Sequence, residues 1–313
     1  MLKFTLFGSG KASYNDDTLP GFPHQQSSLL LCFLLLNRDR PHHRDRLAAI
    51  FWEDQPSSVA RKYLRNALWR LRQSLREAGA GETNYLTVDE ESVSFVPTSR
   101  YWLDIEVFES AIGRYRNIPV EKLTEEQAAN IEAATALYTG DLLEGVYEDW
   151  CLHDRERLQS MYLGALRSLM RFHELRGHYD HALQYGNRIL ACDDTREDIH
   201  RFIMWVYWLS GDHSSALAQY KRCKQILSDE VGVPPAEETE QLYRLVLRNG
   251  HSTSVIPGRQ TTESSSHNRD ATNSLAHNAL HEVHHLQGMM SEITVRLHQL
   301  ENEIGSFLSV PDP

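Results

Sequence analysis

The chain has 313 residues, enough for two domains of ordinary size. Its 41% hydrophobic and 24% charged residues are the balance of a folded soluble protein, and its longest apolar run, residues 29–36, is far short of the about twenty a membrane-crossing helix needs. A formal charge of −11 argues against indiscriminate binding to nucleic acid.

In chain order, residues 2–7 alternate as a strand does, and Asn15-Asp16-Asp17 and Pro20-Gly21 supply turns. Residues 25–36 read as a buried helix. Residues 42–52 read as a short helix with Leu47, Ile50 and Phe51 on one face. After Pro56, Ser57 or Ser58 is placed to cap a helix over residues 58–78. There Ala60, Leu64, Ala67, Leu68, Leu71 and Leu75 form an apolar stripe. Arg61, Lys62, Arg65, Arg70, Arg72 and Arg76 carry positive charge in the same helix, with no acid before Glu77. Two β-rich runs, 85–88 and 93–96, flank Asp89-Glu90-Glu91-Ser92 as a hairpin. Strand, three helices and hairpin within about 100 residues is the order of a winged helix-turn-helix.

Beyond residue 100 the pattern is helical. Asp104 suits a helix cap, and Thr124 with Gln127 makes a capping box. Helices are expected near 150–176, 178–192, 195–210, 212–229 and 236–249. Leu175, Gly177, Ala182 and Leu183 recur 34 residues later as Leu209, Gly211, Ala216 and Leu217, the tetratricopeptide (TPR) period. Residues 250–274 have the composition of a flexible linker. From Val283 to Phe307, apolar residues alternate spacings of three and four, a heptad seam. The fold class is therefore mainly α: an α+β winged helix-turn-helix over 1–100, an all-α TPR-like domain over 101–249, a linker, and a coiled-coil tail over 275–308.

The stretch LAAIFWEDQPSSVARKYLRNALWRLRQSLREAG resembles the OmpR-type winged helix of the antibiotic-regulator (SARP-like) bacterial transcription activators. The runs YLTVDEESVSFVP and WLDIEVFESAI look like that family's wing and its entry to a second domain. GDLLEGVYEDWCLHDRERL and, further on, SDEVGVPPAEETEQLY are similar to its bacterial transcriptional activation domain. The resemblance covers about residues 1–250. It implies binding to double-stranded promoter DNA and recruitment of RNA polymerase. Larger relatives continue into a nucleotide-binding ATPase module. Here a linker and heptads follow, so no cofactor is expected.

A recognition helix packs one face on its own domain and presents the other to a major groove. The candidate DNA-binding residues are Arg61, Lys62, Arg65, Asn66 and Trp69, with Arg70, Arg72 and Arg44 as supports or phosphate contacts; Arg38, Arg40 and Arg46 are further candidates for a backbone clamp. The acidic tip Asp89-Glu90-Glu91 is expected to stay out of a phosphate-lined groove. Tyr179, Tyr185, Trp205, Tyr207, Trp208 and Tyr220 either line a groove in the repeats or fill its core. Phe7-Gly8-Ser9-Gly10-Lys11 lacks the first glycine and the hydroxyl residue of a phosphate loop. His277, His281, His284 and His285 read as surface residues beside the seam, and no metal site is expected. Cys32, Cys151, Cys192 and Cys223 read as buried thiols of a cytoplasmic protein. No nucleophile–base pair stands out, so the chain is not expected to be an enzyme. The seam predicts a homodimer through residues 279–307. The alternative is a TPR-type scaffold or effector-sensing protein whose winged helix does not bind DNA.

Overall fold

The computed structural model describes residues 1–15, 17–19, 21–77 and 85–250. The alternating start becomes β1 (Leu2–Thr5), with Leu2 and Phe4 fully buried. β2 (Lys11–Tyr14) returns antiparallel to it, and β3 (Asp17–Thr18) adds outside β2. The sheet has the order β3-β2-β1-β7, and its last strand comes from far along the chain. That strand, β7 (Tyr101–Leu103), runs parallel to β1 and leads straight into the helical part. Of these four strands the sequence pattern marked only the first, because two to four residues hold too few alternations to read.

α1 (Gln26–Leu36) is apolar on every side and is accordingly covered on every side. It packs against the basic helix, the wing and the helical part. The short helix expected over 42–52 starts later. His42 and His43 form β4, which pairs with β6 (Ser92–Phe95), and α2 runs Arg44–Phe51. His42 is held extended by that ladder and by a contact of 2.9 Å from Nε2 to the Asn37 carbonyl. The basic helix is α3 (Ser57–Glu77), and its buried residues are the six of the expected stripe. Its first turn hangs on the Pro56 carbonyl, which accepts from Val59 and Ala60. Both serines thus stand inside the helix rather than before it. β5 (Leu86–Val88) and β6 form the expected hairpin, and β4 completes a second sheet of order β4-β6-β5.

The helical part comprises α4 (Asp104–Tyr115), α5 (Glu125–Thr135), α6 (Asp149–Leu175), α7 (Tyr179–Cys192), α8 (Glu197–Leu209), α9 (His213–Ile226) and α10 (Glu237–Gly250). The Thr124–Gln127 capping box forms in both directions. The 34-residue repeat is two helix–turn–helix pairs, α6–α7 and α8–α9. Gly177 and Gly211 take φ of 72° and 83° at the turns, where a side chain would be strained. Each turn closes with paired bonds, His178 N–H to the His173 carbonyl and Asp212 N–H to the Tyr207 carbonyl among them. Ala182 and Ala216 are wholly buried where the paired helices meet.

The two parts are joined by more than the chain. Asp104, read as a cap for its own helix, is instead the first residue of α4 and reaches across to the residues that follow β1. One carboxylate oxygen accepts from the N–H groups of Leu6 (2.8 Å) and Phe7 (3.0 Å), the other from Ile105 (2.8 Å). The side chain is only 2% exposed, and burial raises its pKa against the pull of those bonds. Phe7 packs on Phe108 and Tyr138. Arg38, a candidate phosphate clamp, is engaged here too: it lies 3.5 Å from Glu109 and donates to the Leu35 carbonyl. Glu109 also pairs with Arg157 of α6 at 2.7 Å. Trp150, in the first turn of α6, sets its ring against Phe33 and Phe51.

Candidate nucleic-acid interface

Helical geometry turns successive residues about 100°, so the residues opposite the buried stripe of α3 are fixed by its sequence. They are Lys62, Arg65, Asn66 and Trp69, all exposed. Trp69 is 63% exposed, a large apolar ring held in water. Arg61 and the half-buried Arg72 flank one edge of this stripe, and Arg70 the other. Gln73 continues it one turn on, where it donates to Glu77 at 2.8 Å. Gln73 carries no charge to single it out in the sequence, although its helical spacing from Trp69 and Asn66 points to it. Tyr63, 41% exposed, lies against Trp52 at the start of the helix.

Apart from the half-buried Arg72, the structure divides the expected residues into two groups. Lys62, Arg65, Asn66, Trp69 and Arg70 share one open surface. Arg61 and Arg44 are engaged within the protein. Arg61 makes a two-pronged pair with Asp45 of α2, at 2.7 and 2.8 Å. Both side chains stay more than half exposed, so the pair orients Arg61 more than it stabilises the fold. Arg44 donates to the Asp89 carbonyl at 3.0 Å, bracing the wing turn against α2. At that turn Asp89, Glu90 and Glu91 are exposed and acidic.

The aromatics of the repeats resolve mostly into core. Tyr185, Trp205 and Tyr220 are buried, while Tyr179, Tyr207 and Trp208 are half-buried. Tyr185 donates to Glu132 at 2.7 Å, and the Trp205 indole donates to the buried Glu174 at 3.2 Å. Cys32, Cys151 and Cys223 are buried as expected; Cys192 is exposed. The linker, the heptad seam and the four tail histidines lie outside the described residues. Among the described residues, no helix is long and apolar enough to cross a membrane.

Comparison with known proteins agrees with this geometry. Residues 103–247 match the bacterial transcriptional activator domain family. The chain is 24% identical over 249 residues to the transcriptional regulatory protein MoaR1 of Mycobacterium tuberculosis, covering 79% of each. It is 26% identical over 258 residues to the transcriptional regulatory protein EmbR of that organism, covering 79% of this chain and 63% of the relative. For the regulatory protein AfsR of Streptomyces griseus the identity is 25%, over 79% of this chain but only 24% of the relative. The solved structure of M. tuberculosis EmbR in complex with a low affinity phosphopeptide matches with a TM-score of 0.60 at 20% identity. It covers 89% of this chain and 70% of that one, a likeness of fold. The chain is thus similar to SARP-like DNA-binding transcriptional regulators, and its match to the bacterial transcriptional activator domain begins where β7 hands over to α4.

Proposed function

We propose that the protein reads promoter DNA by laying α3 in a major groove. The observation that carries this is the exposed stripe Lys62, Arg65, Asn66 and Trp69, set opposite the buried face of one helix. Arg65 suits a bidentate pair with guanine and Asn66 one with adenine, each worth about 1–3 kcal/mol of discrimination. Trp69 offers an apolar face to a thymine methyl. Lys62 and Arg70 suit phosphates. Arg61, aimed by Asp45, and Arg72 support the helix at its edge, and Arg44 holds the wing.

The same reading gives the chain an activator's role in the cytoplasm, with no enzymatic activity of its own. Residues 1–100 bind duplex DNA, residues 101–249 meet RNA polymerase, and residues 250–274 tether a tail that pairs two copies through 279–307. The test is selection of genomic fragments by the purified chain, followed by mobility shifts on the selected site. Arg65→Ala and Asn66→Ala are expected to lose preference for that site while the protein stays folded. Lys62→Ala is expected to weaken all duplexes alike and lower the salt slope by about one. A folded chain that selects no fragment at low salt refutes the proposal and favours a scaffold.

A further inference from the structure

We infer that the cleft between α4, α5 and α6 is a binding site for a small apolar anion, a bicyclic aromatic or medium-chain carboxylate. The cleft has a volume of about 340 Å³, floored by Ile112, Leu123, Ile131 and Ala165. A dry aliphatic cavity of about 150 Å³ accepts benzene. This one has room for roughly two such rings and stands at the small end of ligand sites.

Its rim names the charge of the occupant. Arg116, at the end of α4, lines the opening and is exposed, and among the described residues it has no carboxylate within ion-pair distance. Beside it the Tyr115 hydroxyl accepts from Asn130 at 3.2 Å, which leaves the phenol proton free to donate. An apolar floor beneath an uncompensated guanidinium suits a compact apolar body with one anionic group.

Gly164 supplies the means of testing the cleft. It lines the same opening from within α6, where a glycine lowers helix stability relative to alanine. Close packing explains such a residue at Gly186, where an added Cβ would stand 2.9 Å from Ile203. At Gly164 an added Cβ would meet nothing within 4 Å. A side chain introduced at Gly164 would therefore extend into the open cleft without displacing a neighbour, which makes this position a direct way to obstruct it.

The site is independent of DNA reading, and its test needs no DNA. Isothermal titration of the full chain uses 1-naphthoate and, as neutral analogue, 1-naphthalenemethanol. One naphthoate per chain is expected. Arg116→Gln should weaken naphthoate about tenfold and leave the alcohol unchanged. Gly164→Leu, which fills the cleft, should abolish both while keeping or raising Tm; Ser160→Phe at the exposed rim is a second obstruction should the first variant misfold. The inference is overturned by absence of naphthoate binding at millimolar concentration, by equal binding of the two probes, or by naphthoate binding that survives both obstructions.

Discussion

Asp104 gives the sharpest test of how the N-terminal part is held on the helical part. Replacing it with alanine leaves the Leu6 and Phe7 amides without an acceptor, in residues 0% and 3% exposed. Each orphaned buried donor costs about 1–3 kcal/mol. Removing a charge that burial penalises gives part of this back, so the net loss is expected at about 2–5 kcal/mol. Asparagine keeps one oxygen acceptor and buries no charge, and should lose about half as much. The sign of the pH effect follows from the raised pKa: the folded chain binds this proton better than the unfolded one. Its contribution is therefore complete below the ordinary value of 3.8 and is lost as pH rises through the folded value. Wild type should accordingly gain on Asp104→Asn as pH is lowered toward 4. Urea unfolding, followed by tryptophan fluorescence and far-ultraviolet dichroism, measures both effects. An alanine variant within about 1 kcal/mol of wild type, below the range for one orphaned donor, or an asparagine variant worse than alanine, would refute the reasoning.

Three further outcomes follow from particular contacts. His200 is buried with Nε2 2.8 Å from the Asp194 carbonyl and Nδ1 2.7 Å from the Gln219 amide, so its ring donates once and accepts once as a neutral tautomer. Burial lowers its pKa, as burial and two neighbouring histidines lower that of His173. Stability from both is present above pH 6.5 and lost as pH falls, and His200→Gln should flatten the decline in Tm between pH 7 and 5.5. Gly186→Ala should destabilise by about 1–2 kcal/mol despite better helix propensity, because its methyl would press on the buried Ile203; thermal unfolding that is unchanged or raised contradicts this. Alanine at Asp89, Glu90 and Glu91 together should leave duplex affinity unchanged or raise it, as read by titration at two salt concentrations; a large loss would place the wing tip in the DNA.

What the sequence made legible was periodic and local. Twenty-one residues of α3 repeat the helical period often enough to expose both its buried stripe and its charged face. The 34-residue recurrence of Gly177 and Ala182 marks the paired helices because a turn and a close approach each demand a residue type. The Thr124–Gln127 box closes within four residues, so its two halves sit side by side in the chain. The misses are non-local. β7 pairs with β1, and Asp104 satisfies amides at Leu6 and Phe7; nothing near residue 104 announces partners so distant. Arg38 and Arg61 look alike as isolated cations. One is engaged by Glu109 at the joint and the other by Asp45 on the neighbouring helix, and only the fold assigns them. The same limit applies to the proposed DNA-facing surface, where composition identified the helix but the fold was needed to separate Lys62 and Arg65 from Arg44.

The joint has a consequence for the proposed mode of action. Between the helical repeats and α3 runs a continuous set of packed rings: Trp150 on Phe51, Phe51 on Trp52, and Trp52 on Tyr63 of α3 itself. With Asp104 and the Arg38–Glu109–Arg157 cluster alongside, the head has no free swivel on the repeats. A polymerase contact made by the repeats must then lie at a fixed angle around the DNA from the groove that α3 occupies. Moving the operator by half a helical turn, about 5 base pairs, should abolish activation, and moving it by a full turn of about 10 should restore a large part. A reporter series with single-base-pair insertions between operator and promoter reads this directly. Activation that declines smoothly with distance, without a helical period, would mean that the head and the repeats act through a flexible connection and that the packed joint does not govern the working complex.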